Sequence, residues 1–365
     1  MPPPAPVPTI DLASPSAAAD LAAAAATLGC AFLTRHGVPG ATRDAFFAAS
    51  AAFFAQPLAV KAAIAADANF RGFTPLGDEA LGLAETAGDG GPGGDTATAQ
   101  PPASAAVTGD RKEGIYFGRD LPAGHSDLAL HGPNQWPAGL PGFKAAVEAA
   151  QEALEACAER LVPLLGDGLG GDARPTFERA FLTRPRTAMA FLRPLHYPPL
   201  EGAGVDDAPA SSDAVLGAGE HTDYGFLTLL LVAGGVPGLQ IELPGGAWAA
   251  VPAGPPAADP ANPADDTWPL FFNCGDMLHR WSGGRYASAK HRVLPPGPGH
   301  PPRFSAAFFY DPPGDCVCAP LRGSGCGADD AALLARWPPV RYLDYLQARF
   351  AATHASYAAA TGGGG

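Results

Sequence analysis

Positive charge is scarce in this 365-residue chain: 23 Lys and Arg stand against 36 Asp and Glu, giving a net charge of −13. Binding to phosphate backbones or anionic lipid headgroups rests on Lys and Arg neutralising phosphates. Nucleic acid and membrane surfaces are therefore excluded as expected partners. Long apolar runs are absent as well: nothing approaches the ~18 continuous apolar residues of a membrane span, and Met1–Thr9 has neither the basic nor the apolar segment of a secretory leader. Cysteine is sparse and unpatterned. Cys30, Cys157, Cys274, Cys316, Cys318 and Cys326 lack C-x-x-C spacing, which excludes zinc knuckles and a disulfide scaffold and implies reduced thiols in a cytoplasmic compartment. Oligomeric state has no signal in the chain.

Abundance lies elsewhere. Gly 46 and Pro 41 make up about a quarter of the residues, and many of the others are Ala, so the 47% hydrophobic content is inflated by methyl groups. No Gly-X-Y period accompanies them, and the aromatic residues cluster beside Leu and Val, as a packed core requires. Low-complexity stretches at Ala87–Gly109, Pro252–Asp266 and Thr361–Gly365 bury too little apolar surface to offset the entropy of ordering, and are expected as mobile loops and a frayed tail.

Between them the periodicities are clear. Val7–Leu12 is a short apolar run. Ser14-Pro15 then opens an Ala-rich helix to Leu28, and Ala31–Leu33 reads as a strand. A second helix covers Ala41–Phe54. A third covers Gly142–Leu165, where Val147, Ala150, Leu154, Cys157, Leu161 and Leu165 form one stripe. From Ala188 to Tyr310 the pattern changes to short apolar runs between Gly/Pro turns (Ala188–Leu192, Phe226–Val232, Leu239–Leu243, Leu270–Asn273, Arg292–Leu294, Phe304–Tyr310), the mark of a β-sandwich or barrel. The predicted class is mainly β with flanking helices.

Chemistry concentrates in that second half. In Gly219-Glu220-His221-Thr222-Asp223-Tyr224-Gly225, residues i and i+2 of an extended chain point the same way, so His221 and Asp223 can meet one ion. A second His completes the two-His, one-carboxylate set associated with non-haem Fe(II), and His291, in Lys290-His291-Arg292-Val293, is the natural third ligand. His125-Ser126-Asp127 repeats the His-x-Asp pattern without a following strand and reads as a solvated loop. Arg303 and Ser305 share a strand face. A guanidinium fork beside a hydroxyl suits a carboxylate, and the strand Phe304–Tyr310 offers Arg303 no protein acid.

In order along the chain, these motifs resemble the iron(II)- and 2-oxoglutarate-dependent dioxygenase superfamily, specifically its isopenicillin N synthase-like branch. Val7–Leu12, Gly29–Leu33, Arg35–Val38, Arg71–Pro75, Lys112–Gly114 and His131–Pro137 are similar to the N-terminal and middle parts of that branch; His221-Thr222-Asp223, Gly275-Asp276, His291-Arg292-Val293 and Arg303-x-Ser305 are similar to its core. The resemblance implies a double-stranded β-helix (jelly roll), with an N-terminal region at 1–135, the core at 185–315, and a C-terminal helix and tail at 316–365 in one compact unit. It implies Fe(II) on His221, Asp223 and His291, and 2-oxoglutarate on Arg303, Ser305 and Tyr197. O2 completes the reaction: a small-molecule substrate is hydroxylated or desaturated while 2-oxoglutarate is decarboxylated to succinate. An oxidase of the same branch that takes its electrons from substrate or ascorbate is the alternative, and a non-catalytic metal-binding module a further one. Leu192–Pro198 departs from the branch, with Leu195 for an Asn and His196 for a Tyr. Arg193 either orients an acidic substrate or pairs with a nearby acid, and Phe309 either packs or lines the pocket with Arg303 and Ser305. His131, Trp136 and Trp281 read as packing residues, Asp276 as a turn residue bonding backbone donors, and Cys316 and Cys318 as ordinary thiols.

Overall fold

A computed structural model describes residues 7–83, 109–124, 129–183, 187–200, 215–255, 258–321, 330–354 and 357. Most of Ala87–Gly109, the His125-Ser126-Asp127 motif, Cys326 and the Thr361–Gly365 tail lie outside the described residues.

The first half supplies helices. After β1 (Thr9–Asp11), α1 (Ala17–Thr27) begins two residues later than the Ser14-Pro15 signal, with Ser16 at its N-cap; β2 (Cys30–Thr34) and α2 (Gly40–Phe54) follow as predicted. Next come α3 (Leu58–Ala62), β3 (Gly72–Thr74) and β4 (Glu113–Tyr116). The long α4 (Phe143–Leu169) buries the predicted stripe, and α5 (Ala173–Phe181) packs on it.

The second half supplies β5 (Met189–Tyr197), β6 (Ala218–His221), β7 (Leu227–Val232), β8 (Leu239–Glu242), β9 (Trp248–Ala250), β10 (Leu270–Cys274), the short α6 (Asp276–Trp281), β11 (His291–Val293) and β12 (Arg303–Asp311). A small β13 (Val317–Cys318), α7 (Asp330–Arg336), β14 (Val340–Arg341) and α8 (Tyr342–Thr353) complete the described chain. The strands form an eight-stranded sheet in the order β1-β2-β10-β7-β12-β5-β4-β3 and a four-stranded sheet in the order β6-β11-β8-β9.

Strand alternation divides the large sheet into two faces. Leu229 and Leu231 of β7 and Ala306 and Phe308 of β12 are fully buried on one face, and α4 packs against these two strands. The alternate residues Thr228, Leu230, Ser305, Ala307 and Phe309 line a cavity whose other walls include His221 of β6, Leu239 of β8 and His291 of β11.

Residues 256 and 257 of the Pro252–Asp266 stretch lie outside the described residues, and its end, Pro263–Asp266, departs from expectation. Its carbonyls are anchored: Arg35 N–H donates to Asp266 O, Gly40 N–H to Asp265 O and Ala41 N–H to Pro263 O. The first N–H groups of a helix have no intrahelical partner, Pro39 at the N-cap of α2 supplies no side-chain acceptor, and this loop fills that need. No helix among the described residues is long and apolar enough to cross a membrane.

Candidate active site

His221 ends β6 and His291 opens β11, and the antiparallel register sets the two directly opposite one another. Their rings lie 4.2 Å apart between centroids. Each Nδ1 is engaged by a backbone carbonyl, that of His221 with Gly219 O at 2.7 Å and that of His291 with Ala289 O at 2.9 Å. Those bonds turn both Nε2 atoms inward, each 3.8 Å from Asp223 Oδ1. Asp223 lies beyond the end of β6, so the shared facing of His221 and Asp223 arises at the strand-to-turn junction and not within an extended strand.

Asp223 is fixed from behind. Its Oδ2 accepts from Thr228 Oγ1 at 2.5 Å and from Asn273 Nδ2 at 2.7 Å, leaving Oδ1 toward the histidines. Against the upward push of burial, His291, His221 and these two bonds hold the Asp223 carboxyl below its usual range. Burial, with His291 beside it, takes His221 down to about 3, so the imidazole is neutral and its Nε2 lone pair available. Ligand atoms of the three side chains lie within 4.8 Å of one another, the only cluster of three or more His, Cys, Asp or Glu side chains among the described residues that could hold a metal ion. Imidazoles oriented through Nδ1 and a carboxylate oriented by side-chain donors are the outer contacts that metal-ligating side chains require.

Arg303, Ser305, Ala307, Phe309 and Asp311 project from one face of β12 into the cavity, and Tyr197, Leu195, Arg193 and Phe191 from the paired face of β5. Arg303 is 1% exposed. It donates to Ser305 Oγ at 3.0 Å, stacks over the Tyr197 ring at 5.0 Å, and has no carboxylate within ion-pairing reach among the described residues. Its Nε has no acceptor. Arg193 differs: its Nη1 donates to Glu79 Oε2 at 2.8 Å, so the open question at that residue falls to a protein acid. Phe309 lines the cavity.

Other expectations resolve locally. His36 is buried, its Nε2 against Trp268 O. His196 points away from the cavity, with Nδ1 2.8 Å from Glu113 Oε1 in a cluster with Lys61. Leu195 keeps the cavity side. Asp276 is corrected: its carboxylate accepts from the side chains of Ser288, Tyr345 and Arg349, tying α8 to α6. Thr228, Asn273, Glu79 and Lys112 had no assigned role from sequence. Thr228 and Asn273 did leave a trace, each being the polar interruption of an otherwise apolar strand, Leu227–Val232 and Leu270–Cys274.

The comparisons with known proteins agree with this geometry. The model of the 2OG-Fe(II) oxygenase superfamily matches residues 189–312, and that of the N-terminal region of the non-haem dioxygenases in morphine synthesis matches residues 7–139. The 2-oxoglutarate-dependent dioxygenase tropC of Talaromyces stipitatus is 31% identical over 304 residues, covering 80% of this chain and 79% of its own. The clavatol oxidase claD of Penicillium crustosum is 31% identical over 301 residues, covering 80% and 78%. Among solved structures, a full-length protein of Neurospora crassa in complex with 2-oxoglutarate (alpha-KG) superimposes with a TM-score of 0.71 at 26% identity, covering 95% of this chain and 96% of that one. The chain belongs to the 2OG-Fe(II) oxygenase superfamily. It is an enzyme, an iron(II)- and 2-oxoglutarate-dependent dioxygenase that uses O2.

Proposed function

We propose that His221, Asp223 and His291 hold the Fe(II), that Arg303, Ser305 and Tyr197 receive the distal carboxylate of 2-oxoglutarate, and that the surrounding strands form a double-stranded β-helix. The reaction is the hydroxylation or desaturation of a small molecule, coupled to decarboxylation of 2-oxoglutarate to succinate. The two sheets, with the cavity between them, support the β-helix reading. Residues 1–135 form the N-terminal region of one compact unit, 185–315 the oxygenase core and 316–365 the C-terminal helix and tail. The five described cysteines are not in disulfides, in keeping with a cytoplasmic enzyme.

One observation carries the assignment. The Nε2 atoms of two carbonyl-tethered histidines and the free oxygen of a doubly hydrogen-bonded aspartate converge inside a buried cavity that also holds a guanidinium without an acid. Bound there, Fe(II) supplies oxidation by O2 with coordination positions to spare for the 2-oxo acid. The protein's own contributions are to keep the His221 imidazole neutral, point both Nε2 atoms inward through the bonds at Nδ1, orient Asp223 through Thr228 and Asn273, and draw the co-substrate's far carboxylate to Arg303.

The test is succinate formation from 2-oxoglutarate with Fe(II) and O2, in the purified protein and in His221→Ala. The variant is expected to lose turnover together with the visible charge-transfer band that Fe(II) and 2-oxoglutarate give anaerobically. Equal turnover in the two proteins overturns the ligand assignment.

A further inference from the structure

Two guanidiniums face the same cavity from paired strands, and the protein treats them differently. Arg303 of β12 lies opposite Tyr197 of β5, and Arg193 lies four residues back along β5, which is ~13 Å at the rise of a strand. At the Tyr197 end the cation is left without an acid. At the other end Glu79, brought in from the N-terminal region, bonds Arg193 at 2.8 Å and Lys112 at 2.7 Å, while Asp110 takes a second contact with Lys112. His354, just past α8, closes the cluster with Nε2 2.9 Å from Glu79 Oε1. Two buried cations are thus matched by two buried anions. Burial opposes the charge of Glu79 and of Lys112, yet Arg193, Lys112 and His354 hold the Glu79 carboxyl well below its usual range, and Asp110 and Glu79 keep Lys112 above its own.

We propose that the primary substrate is an uncharged, aromatic-sized molecule, and that Glu79 sets this specificity by neutralising Arg193 at the substrate end of the cavity. The inference rests on the reading that Arg303 serves 2-oxoglutarate. The balanced cluster abuts the reacting centre: Tyr224, next to Asp223, donates to Thr353 beside His354, and Tyr116 lies 3.2 Å from His354 Nε2. Phe350 of α8 stands 6.4 Å, between ring centroids, from both Tyr116 and Tyr224. A flat apolar body fits against these rings, whereas a carboxylate brought to Arg193 meets the charge of Glu79 and finds no spare cation. Arg303 alone, among the described cavity residues, rewards an anion, and 2-oxoglutarate takes it.

The experiment uses the full chain, loaded anaerobically with Fe(II) and 2-oxoglutarate. It is titrated with two isosteric probes, 4-methylbenzamide and 4-methylbenzoate, and read by the shift of the visible band. Absence of the band in the wild-type protein refutes the site assignment above. With the band present, the neutral amide is expected to bind at least tenfold more tightly than the benzoate. Glu79→Gln frees Arg193 and is expected to move that ratio at least tenfold toward the benzoate; the double variant Glu79→Gln/Arg193→Gln, in which Lys112 keeps Asp110, restores it. Equal or tighter binding of the benzoate by the wild-type protein overturns the proposal, as does failure of the amide to shift the band. A ratio unchanged in a Glu79→Gln protein that retains the band removes Glu79 as its cause and overturns it equally.

Discussion

Replacing Arg303 by Leu separates a cost in the free protein from a gain in the liganded one. The guanidinium is 1% exposed, its Nε has no acceptor, its nearest polar neighbour is a hydroxyl, and burial alone pulls its pKa below the usual guanidinium range. A buried polar group short of partners costs ~1–3 kcal/mol, more when it is charged. Arg303→Leu is therefore expected to stabilise the ligand-free protein by ~1–3 kcal/mol, a rise of a few degrees in Tm. Binding moves the other way: two charge-assisted hydrogen bonds to a carboxylate are worth ~1.5–3 kcal/mol each, so affinity for 2-oxoglutarate falls by ~10²-fold or more at ~1.4 kcal/mol per tenfold. Thermal unfolding without ligand, and anaerobic calorimetric titration of the Fe(II)-loaded protein with 2-oxoglutarate, measure the two effects. A residue that merely packs would destabilise the free protein when truncated. That result, or an unchanged affinity for 2-oxoglutarate, refutes the argument.

Three further expectations concern the surroundings of the site. Thr228→Val or Asn273→Leu removes one of the two donors that fix Asp223 and is expected to weaken metal binding ~10–100-fold, measured by chelator competition; unchanged affinity would show that Asp223 needs no such support. Asp311 accepts from Phe226 N–H and Tyr342 OH, but burial outweighs both bonds and pushes its carboxyl up to about 7. Between the ordinary carboxylate value and about pH 7 the unfolded chain has lost a proton that the folded protein keeps, so stability falls as pH rises through that window. Asp311→Asn has no proton to lose, and chemical denaturation at pH 4 and pH 8 should show the variant gaining on the wild type at the higher pH; a constant difference would count against the assignment. Gly225 approaches Asp311 so closely that an added Cβ would fall 1.6 Å from Oδ1. Gly225→Ala is therefore expected to cost ~3 kcal/mol or more, read as a lower denaturant midpoint, and a midpoint within error of the wild type would contradict it.

The fold was legible wherever one element's burial is written in its own residues. Strands β7, β10 and β12 are apolar because both faces are covered, and α4 shows its stripe because only one face is. Elements made by their neighbours were not visible. Ala-Gly-Glu-His is no strand by propensity, yet Ala218–His221 is extended because β11 pairs with it. The helical reading of α4 stopped at Leu165, before Gly166 and Gly168, but the helix runs on to Leu169. A Cβ at Gly166 would fall 2.5 Å from Arg174 Cα, so the small residue serves the close approach of α5 and does not mark a helix end. The anchored Pro263–Asp266 segment is the same lesson in reverse, since composition measures apolar content and not the demand of a distant helix terminus for acceptors.

The same division runs through the site. Residues proposed to touch the ligands carry their chemistry in type and spacing, so His221, Asp223, His291, Arg303 and Ser305 could be singled out from a single chain. Those that tune the site work through partners far away in sequence: Asn273 lies 50 residues from Asp223, and Glu79 lies 114 from Arg193. A buried charge reads in sequence only as a polar residue near apolar ones; whether it is spent on a protein acid or held for a ligand is a property of the pairing. That difference is what separates Arg193 from Arg303, two arginines on adjacent strands that face one cavity. The first has its acid within the fold, and the second has none among the described residues.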